Sequence, residues 1–84
     1  MEIKIIKHKN INNFKSWPIW ECEESEFDWE YKEEEHCFII RGEVIITYNQ
    51  INIIIKEGDY VIFPKGLKCF WKIKKSIKKY YNFK

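Results

Sequence analysis

The stretch that decides the fold runs from residue 58 to residue 66 and reads Gly58-Asp59-Tyr60-Val61-Ile62-Phe63-Pro64-Lys65-Gly66. Glycine tolerates a positive φ and aspartate bonds nearby backbone amides, so the Gly-Asp pair predicts a tight turn. The next four residues are strong strand formers. Proline has no N–H for the ladder and glycine has no side chain to pack, so both predict the end of that strand. The stretch therefore predicts a turn, a short strand and a second turn.

A matching block lies earlier in the chain, from Glu35 to Val44, with Gly42 as its predicted turn. The clearest alternation of apolar and polar residues is in 26–32, where Phe27, Trp29 and Tyr31 share one face. Turn signals separate roughly nine short strands, and no segment has a helical pattern. The predicted strands are 2–7, 17–22, 26–32, 35–41, 43–48, 51–56, 60–63, 67–73 and 77–83. Such a pattern predicts an all-β antiparallel sandwich or barrel.

The length of 84 residues predicts one small domain spanning residues 1–84. An aromatic content of 18% supplies the dense core that so small a domain needs. Ten of the 13 acidic residues lie in 1–42 and nine of the 15 basic residues in 43–84, which predicts two differently charged faces. The net charge of +2 is too weak to indicate nucleic acid, and the basic tail lacks the signature of a nucleic-acid-binding module.

The three cysteines, Cys22, Cys37 and Cys69, include no pair with CxxC spacing. Neither a disulfide framework nor a zinc ribbon is therefore predicted. The chain opens without a signal peptide pattern, and no run approaches the ~20 apolar residues of a membrane span. We expect a soluble cytoplasmic protein with free thiols and no membrane partner.

The two glycine-punctuated blocks resemble the paired motifs of the cupin family, whose fold is a small RmlC-like jelly-roll β-barrel. The first cupin motif ends in Glu, six residues and Gly, which matches Glu35 and Gly42. The second runs Gly, five residues, Pro, one residue and Gly, which matches Gly58, Pro64 and Gly66. Four stretches further resemble short single-domain cupins related to ureidoglycine aminohydrolase and the ethanolamine-utilisation Q protein. They are Trp17–Glu21, Phe27–Tyr31, Gly58–Leu67 and Lys79–Tyr81.

Many cupins bind a metal through three His and one Glu, and the resemblance implies where those ligands would stand. Two of the His positions hold Trp29 and Tyr31, the third holds Cys69, and Glu35 alone matches the family pattern. His36 is adjacent to Glu35, and successive strand residues point to opposite faces. One carboxylate and one thiol suit a borderline metal poorly. We therefore expect no metal and no cofactor.

The resemblance also implies that Glu35 points into the barrel against aromatic rings. Enclosure of this kind raises the pKa of a carboxyl group, as a general acid or base requires. Alternatively, Glu35 is a structural polar bridge to a Tyr hydroxyl or to Lys79. Cys69 is a candidate nucleophile if a cation such as Lys79 lowers its pKa, and otherwise a buried apolar filler.

A set of aromatic residues is predicted to line a pocket for a small polar or planar ligand, or else to fill the core. They are Trp20, Trp29, Tyr31, Trp71 and Tyr81.

These features predict a protein that binds or converts a small polar metabolite, for example a nitrogen-containing one, without a metal. Glu35 is the predicted acid or base, with Cys69 and Lys79 as supporting polar groups. One alternative is a non-catalytic small-molecule binding module, and the other is a metal-dependent cupin with atypical ligands. We expect a homodimer formed through strand edges and no nucleic-acid partner.

Overall fold

The computed structural model describes residues 2–84, and this range contains seven β-strands and one 3₁₀ turn. In chain order the elements are β1 (Lys4–Ile6), the 3₁₀ turn (Ile11–Phe14), β2 (Ile19–Cys22), β3 (Ser25–Glu30), β4 (Glu35–Tyr48), β5 (Ile51–Lys56), β6 (Tyr60–Phe63) and β7 (Lys68–Phe83). No helix in residues 2–84 has both the length and the apolar character needed to span a bilayer.

Two predicted turns were wrong, which reduces nine predicted strands to seven: Gly42 lies inside β4, and residues 74–76 lie inside β7. At Gly42 φ is +105°, and the pairing of β4 with β7 changes register between Ile39 and Val44. Bulges and related irregularities of this kind bend a strand without ending it. The core residues of β4 accordingly change from odd-numbered before the bulge to even-numbered after it. Residues 74–76 stay in the ladder because Lys75 pairs with Glu43.

The seven strands form one hydrogen-bonded sheet, and its long central strands β4 and β7 pair with each other and run through both of its halves, which we call the two sheets. The first half of β4 and the second half of β7 lie in the order β1-β6-β4-β7-β2, while their other halves are flanked by β5 and β3. All of these pairs are antiparallel. Within residues 2–84, β1, β2, β3 and β5 each have a single neighbour, so the structure is an open jelly roll.

Residues 58–66 form the predicted turn, strand and turn. Gly58 has a φ of +90°, and its N–H donates to the carbonyl of Ile39 at 2.9 Å. The Asp59 side chain accepts the backbone N–H of Lys56 at 3.0 Å and also pairs with Lys7. Since Asp59 is only 1% exposed, these two contacts satisfy a buried carboxylate and hold the turn beside the end of β1.

Acidic and basic side chains face each other across neighbouring strands. Glu26 on β3 is opposite Lys72 on β7, and Glu30 is opposite Lys68. Opposite charges at such positions stabilise strand pairing by roughly 0.2–1 kcal/mol each. The predicted separation into two charged faces was therefore wrong for these strands, because the acids of the first half meet the lysines of the second half.

The core lies between the two sheets and is built mainly from alternate residues of β4, β6 and β7. Its most buried members include Cys37, Val44, Ile46, Ile55 and Val61, all with 0% exposure. Outside it, Phe14 on the 3₁₀ turn stacks on Phe38 and Tyr60 and thereby anchors the N-terminal loop.

Candidate functional site

A cavity of about 220 Å³ lies between the sheets, with walls from β2, β3, β4 and β7. It opens to solvent beside Trp29 and Phe83, whose exposed fractions are 49% and 45%. The lining residues are Trp20, Phe27, Trp29, Tyr31, Glu35, Trp71, Lys79, Tyr81 and Phe83. Apart from one carboxylate and one ammonium group, the walls are aromatic.

Strand alternation explains why these side chains converge. The lining residues of β3 and β7 are all odd-numbered, namely Phe27, Trp29, Trp71, Lys79, Tyr81 and Phe83, while the charged even-numbered residues of β3 are exposed on the outer face. Tyr31, directly after β3, is held by the second turn of the 58–66 stretch. Its N–H donates to the carbonyl of Leu67 at 2.9 Å, and its carbonyl accepts the N–H of Gly66 at 2.7 Å. That turn therefore fixes the position of one cavity wall.

Glu35 and Lys79 form a buried ion pair inside the cavity. Lys79 Nζ donates to Glu35 Oε2 at 2.7 Å, and the two residues are 5% and 3% exposed. The ammonium group also lies 5.0 Å from the ring centroid of Trp20 and 4.9 Å from that of Trp71, within range of cation–π attraction. Glu35 Oε1 is buried and has no hydrogen-bond partner among residues 2–84. Lys79 thus points inward, and half of the Glu35 carboxylate stays unpaired.

Tyr31 is a neutral hydrogen-bonding group next to this pair. Burial, followed by the negative charge of Glu35, holds the pKa of its hydroxyl well above the usual 10.0. The hydroxyl lies close to the Glu35 carboxylate without a hydrogen bond of ordinary geometry. The ring stacks on Phe63 with centroids 4.7 Å apart, and Trp29 packs against it edge-on at 6.3 Å. The phenol therefore stays protonated and available as a donor at neutral pH.

Cys69 is not among the residues that line this cavity. It pairs with Trp29 across the strands and lines a shallow groove on the other side of that residue. Burial raises the pKa of its thiol to about 11, although Trp71 and, to a smaller extent, Lys79 act in the opposite direction. At neutral pH the group is a thiol, whereas a nucleophile needs the thiolate. The structure therefore separates Cys69 from the Glu35–Lys79 pair.

The side chains present do not fit the metal that many cupins hold. Residues 2–84 contain no group of three or more His, Cys, Asp or Glu side chains placed to bind one ion. His36, which was expected to face away from Glu35, does not line the cavity: its Nδ1 lies 2.6 Å from the Tyr60 hydroxyl and its Nε2 2.6 Å from Glu34. Glu35 instead has the ammonium group of Lys79 as its cationic partner.

Glu35, Lys79 and the five predicted aromatic residues all line the cavity, and Cys69 does not. Phe27 and Phe83 were missed as lining residues. Phe27 shares the alternating face of Trp29 and Tyr31, and Phe83 has the same parity as Lys79, so the period-2 signal contained both.

The chain is similar over residues 12–81 to the EutQ-like cupin domain. Among solved structures it is similar to a DUF861 family protein from Thermotoga maritima, at 43% identity and a TM-score of 0.89, covering 99% of this chain and 100% of that one. It is also similar to the EutQ protein of Clostridium difficile, at 23% identity and a TM-score of 0.71, over 77% of this chain and 52% of that one. An RmlC-like cupin from Shewanella frigidimarina gives 10% identity and a TM-score of 0.60, over 77% and 64%. No curated protein matches.

The last two likenesses, at low identity, concern the fold alone. Together with the antiparallel two-sheet architecture they show an all-β cupin jelly roll, so the predicted fold class is confirmed.

Proposed function

We propose that this chain, which belongs to the EutQ-like cupin domain family, binds a small polar metabolite in the cavity around Glu35. One observation carries the proposal: Glu35 Oε1 is buried at the cavity wall without a hydrogen-bond donor among the described residues. A buried acceptor left unpaired destabilises a protein by about 1–3 kcal/mol, and by more when it is charged. A bound N–H or O–H group would supply the missing donor.

The size and composition of the cavity support a small ligand. Its 220 Å³ would hold about seven water molecules at about 30 Å³ each. Aromatic walls with a few convergent polar groups are typical of small-molecule sites. Here Glu35, Lys79 and Tyr31 supply those groups, and the opening beside Trp29 supplies a route from solvent.

A thermal-shift and ligand-observed NMR screen of small polar metabolites tests the proposal. We expect hits that raise the melting temperature of the wild-type protein and lose affinity in Glu35→Gln and in Trp29→Ala. Trp29→Ala changes a half-exposed residue at the cavity mouth and so does not depend on the fate of the buried ion pair. Glu26→Gln, the same change on the outer face of β3, is the matched control. Equal affinity in all four proteins would contradict binding in this cavity.

A second candidate function, conversion of the bound metabolite, is favoured by the asymmetry of the Glu35 carboxylate. Lys79 donates to Oε2, while Oε1 has no donor among the described residues. Oε1 would therefore accept a proton from the ligand. The Lys79 ammonium group would stabilise the negative charge that then develops on the ligand. Loss of turnover in Glu35→Gln at ligand concentrations high enough to saturate this weaker-binding variant, with activity kept in Glu26→Gln, is the expected result. Binding without turnover in the wild-type protein would leave a binding module.

A further inference from the structure

We infer that the ligand of this cavity is an uncharged molecule with a hydrogen-bond donor beside an acceptor, a primary amide being the simplest such class. The inference rests on the proposed function, since it specifies which small molecule the cavity takes. It follows from the net charge of the cavity walls and from the hydrogen-bonding groups that these walls carry.

The two charged groups that line the cavity neutralise each other. Glu35 and Lys79 are in direct contact and almost fully buried, and the other lining residues are aromatic. A charged ligand would therefore leave one charge without a partner beside two almost fully buried charged groups, which is costly. An uncharged ligand avoids this penalty.

Cations face a further obstacle at this site. Aromatic rings often bind cations, but the Trp20 and Trp71 rings already lie about 5 Å from the Lys79 ammonium group. A second cation over those rings would be repelled by Lys79 at short range. An anion would meet the corresponding repulsion from Glu35, and pairing it with Lys79 would take the cation away from Glu35.

The cavity lining offers both kinds of polar group that an amide needs, an acceptor and a donor. Glu35 Oε1 is a free acceptor, and the neighbouring Tyr31 hydroxyl is a donor that stays protonated. An amide N–H would donate to Glu35 Oε1 while the carbonyl oxygen of the same group accepts from Tyr31. The planar amide and any ring attached to it would lie against the aromatic walls.

Four ring compounds of similar size test the inference by titration at neutral pH: benzamide, acetophenone, benzoate and benzylammonium. Acetophenone keeps the carbonyl of benzamide and lacks its N–H, while the other two carry opposite charges. We expect benzamide to bind about tenfold or more tightly than each of the others, because a hydrogen bond to a charged group is worth at least that factor.

The outcomes separate the inference from the function on which it rests. If benzamide fails to bind, or if a charged compound binds as tightly, the inference is wrong while binding in the cavity still stands. If the metabolite screen and all four ring compounds give no binding, the proposed function itself is wrong.

Lys79→Met provides an independent test through a change of charge preference. It leaves the Glu35 carboxylate as the one charged group of the lining, so we expect the affinity for benzylammonium to rise about tenfold or more. The control Lys78→Met changes the neighbouring residue, which does not line the cavity, and is expected to behave as wild type. An unchanged order of affinities in a folded Lys79→Met protein would contradict the charge argument, and the wild-type series decides the matter if this variant does not fold.

Discussion

Glu35 and Lys79 are both buried, and each neutralises the charge of the other. The stability of the fold therefore depends on keeping both members of the pair. We predict that Glu35→Gln or Lys79→Met alone lowers the free energy of unfolding by about 3–5 kcal/mol, as expected when one partner of a buried ion pair is lost. The double variant should be destabilised by less than the sum of the two, because it leaves neither charge behind. Urea denaturation of all three proteins measures this.

The matched control is Lys78→Met, a lysine beside Lys79 whose strand neighbours are Glu21 and Arg41. It should change the free energy of unfolding by less than about 1 kcal/mol, since Lys78 is only partly buried and Glu21 is paired with Arg41 instead. Strict additivity of the two cavity substitutions would mean that the pair does not couple in solution.

The three cysteines differ in solvent accessibility, and the rate at which a thiol reagent labels each of them measures this difference. Cys37 is 0% exposed and Cys69 is 7% exposed, and burial raises their pKa values to about 12 and about 11. At pH 8 the thiolate fraction of either is about one in a thousand or less, whereas Cys22 is partly exposed. We predict that a thiol reagent such as DTNB labels one group per native chain, at Cys22, and all three after unfolding. Rapid labelling of native Cys22→Ser would contradict this.

At the scale of elements, the bulge at Gly42 lets β4 serve two sheets, and it depends on a backbone contact. A Cβ atom at Gly42 would lie 2.3 Å from the carbonyl oxygen of Ser76 and 2.7 Å from Cα of Ile77. These atoms belong to the backbone of β7, so they cannot move aside without breaking the central ladder. We predict that Gly42→Ala costs more than about 4 kcal/mol or prevents folding.

Gly58→Ala is the comparison that separates steric contact from backbone strain. Gly58 also has a positive φ, but a Cβ atom there would meet nothing within 4 Å. Its replacement should cost only about 1–3 kcal/mol, the usual range for a strained backbone. Equal losses for the two variants, measured by urea denaturation, would show that the approach of β4 to β7 is not what requires Gly42.

For the molecule as a whole, burial of thiol groups lowers the free energy of unfolding at alkaline pH. The pKa of Cys37 rises from the usual 9.0 to about 12 because the folded protein buries the thiol. Between these pH values the unfolded chain loses the proton and the folded protein keeps it, so rising pH favours unfolding. The contribution is fully present below pH 9, and we predict a loss of about 1.4 kcal/mol per pH unit from this group above it.

Urea denaturation from pH 8 to pH 11 tests this slope. Cys37→Ala should have a shallower decline than the wild-type protein, even though it is less stable at pH 8. Cys22→Ala, at a partly exposed cysteine, should keep the wild-type slope. Parallel slopes for Cys37→Ala and wild type would contradict the prediction.

The free strand edges also bear on assembly, and we propose a homodimer that forms through β5. Among the four strands with one neighbour, β3 carries Glu26, Asp28 and Glu30, which would repel a second copy of the same strand. β5 has a single charged residue, Lys56, and its Ile54 is 59% exposed. Sedimentation should show a dimer for wild type and for the control Ile19→Lys on β2, and a monomer for Ile54→Lys. A wild-type monomer would refute the proposal.

Local sequence patterns alone determined much of this protein. The turn at Gly58-Asp59, strand β6 and the inward face of Phe27, Trp29 and Tyr31 follow from turn chemistry and period-2 alternation, which act between residues close in the chain. The glycine and proline spacing of the two blocks resembles the cupin motifs, and that resemblance implied both the fold and an inward-facing Glu35, which lines the cavity.

Tertiary structure alone decided the rest, because it depends on residues far apart in the chain. Gly42 became a bulge since β7 pairs along the whole of β4, a contact that no local pattern contains. Lys79 turned inward because it meets Glu35 across 44 residues of sequence, and Cys69 lies off the cavity wall because Trp29 separates it from that space. The unpaired oxygen of Glu35, on which the proposed function rests, is likewise a property of packing. It has no partner because the fold brings no hydrogen-bond donor of the described residues into range of it.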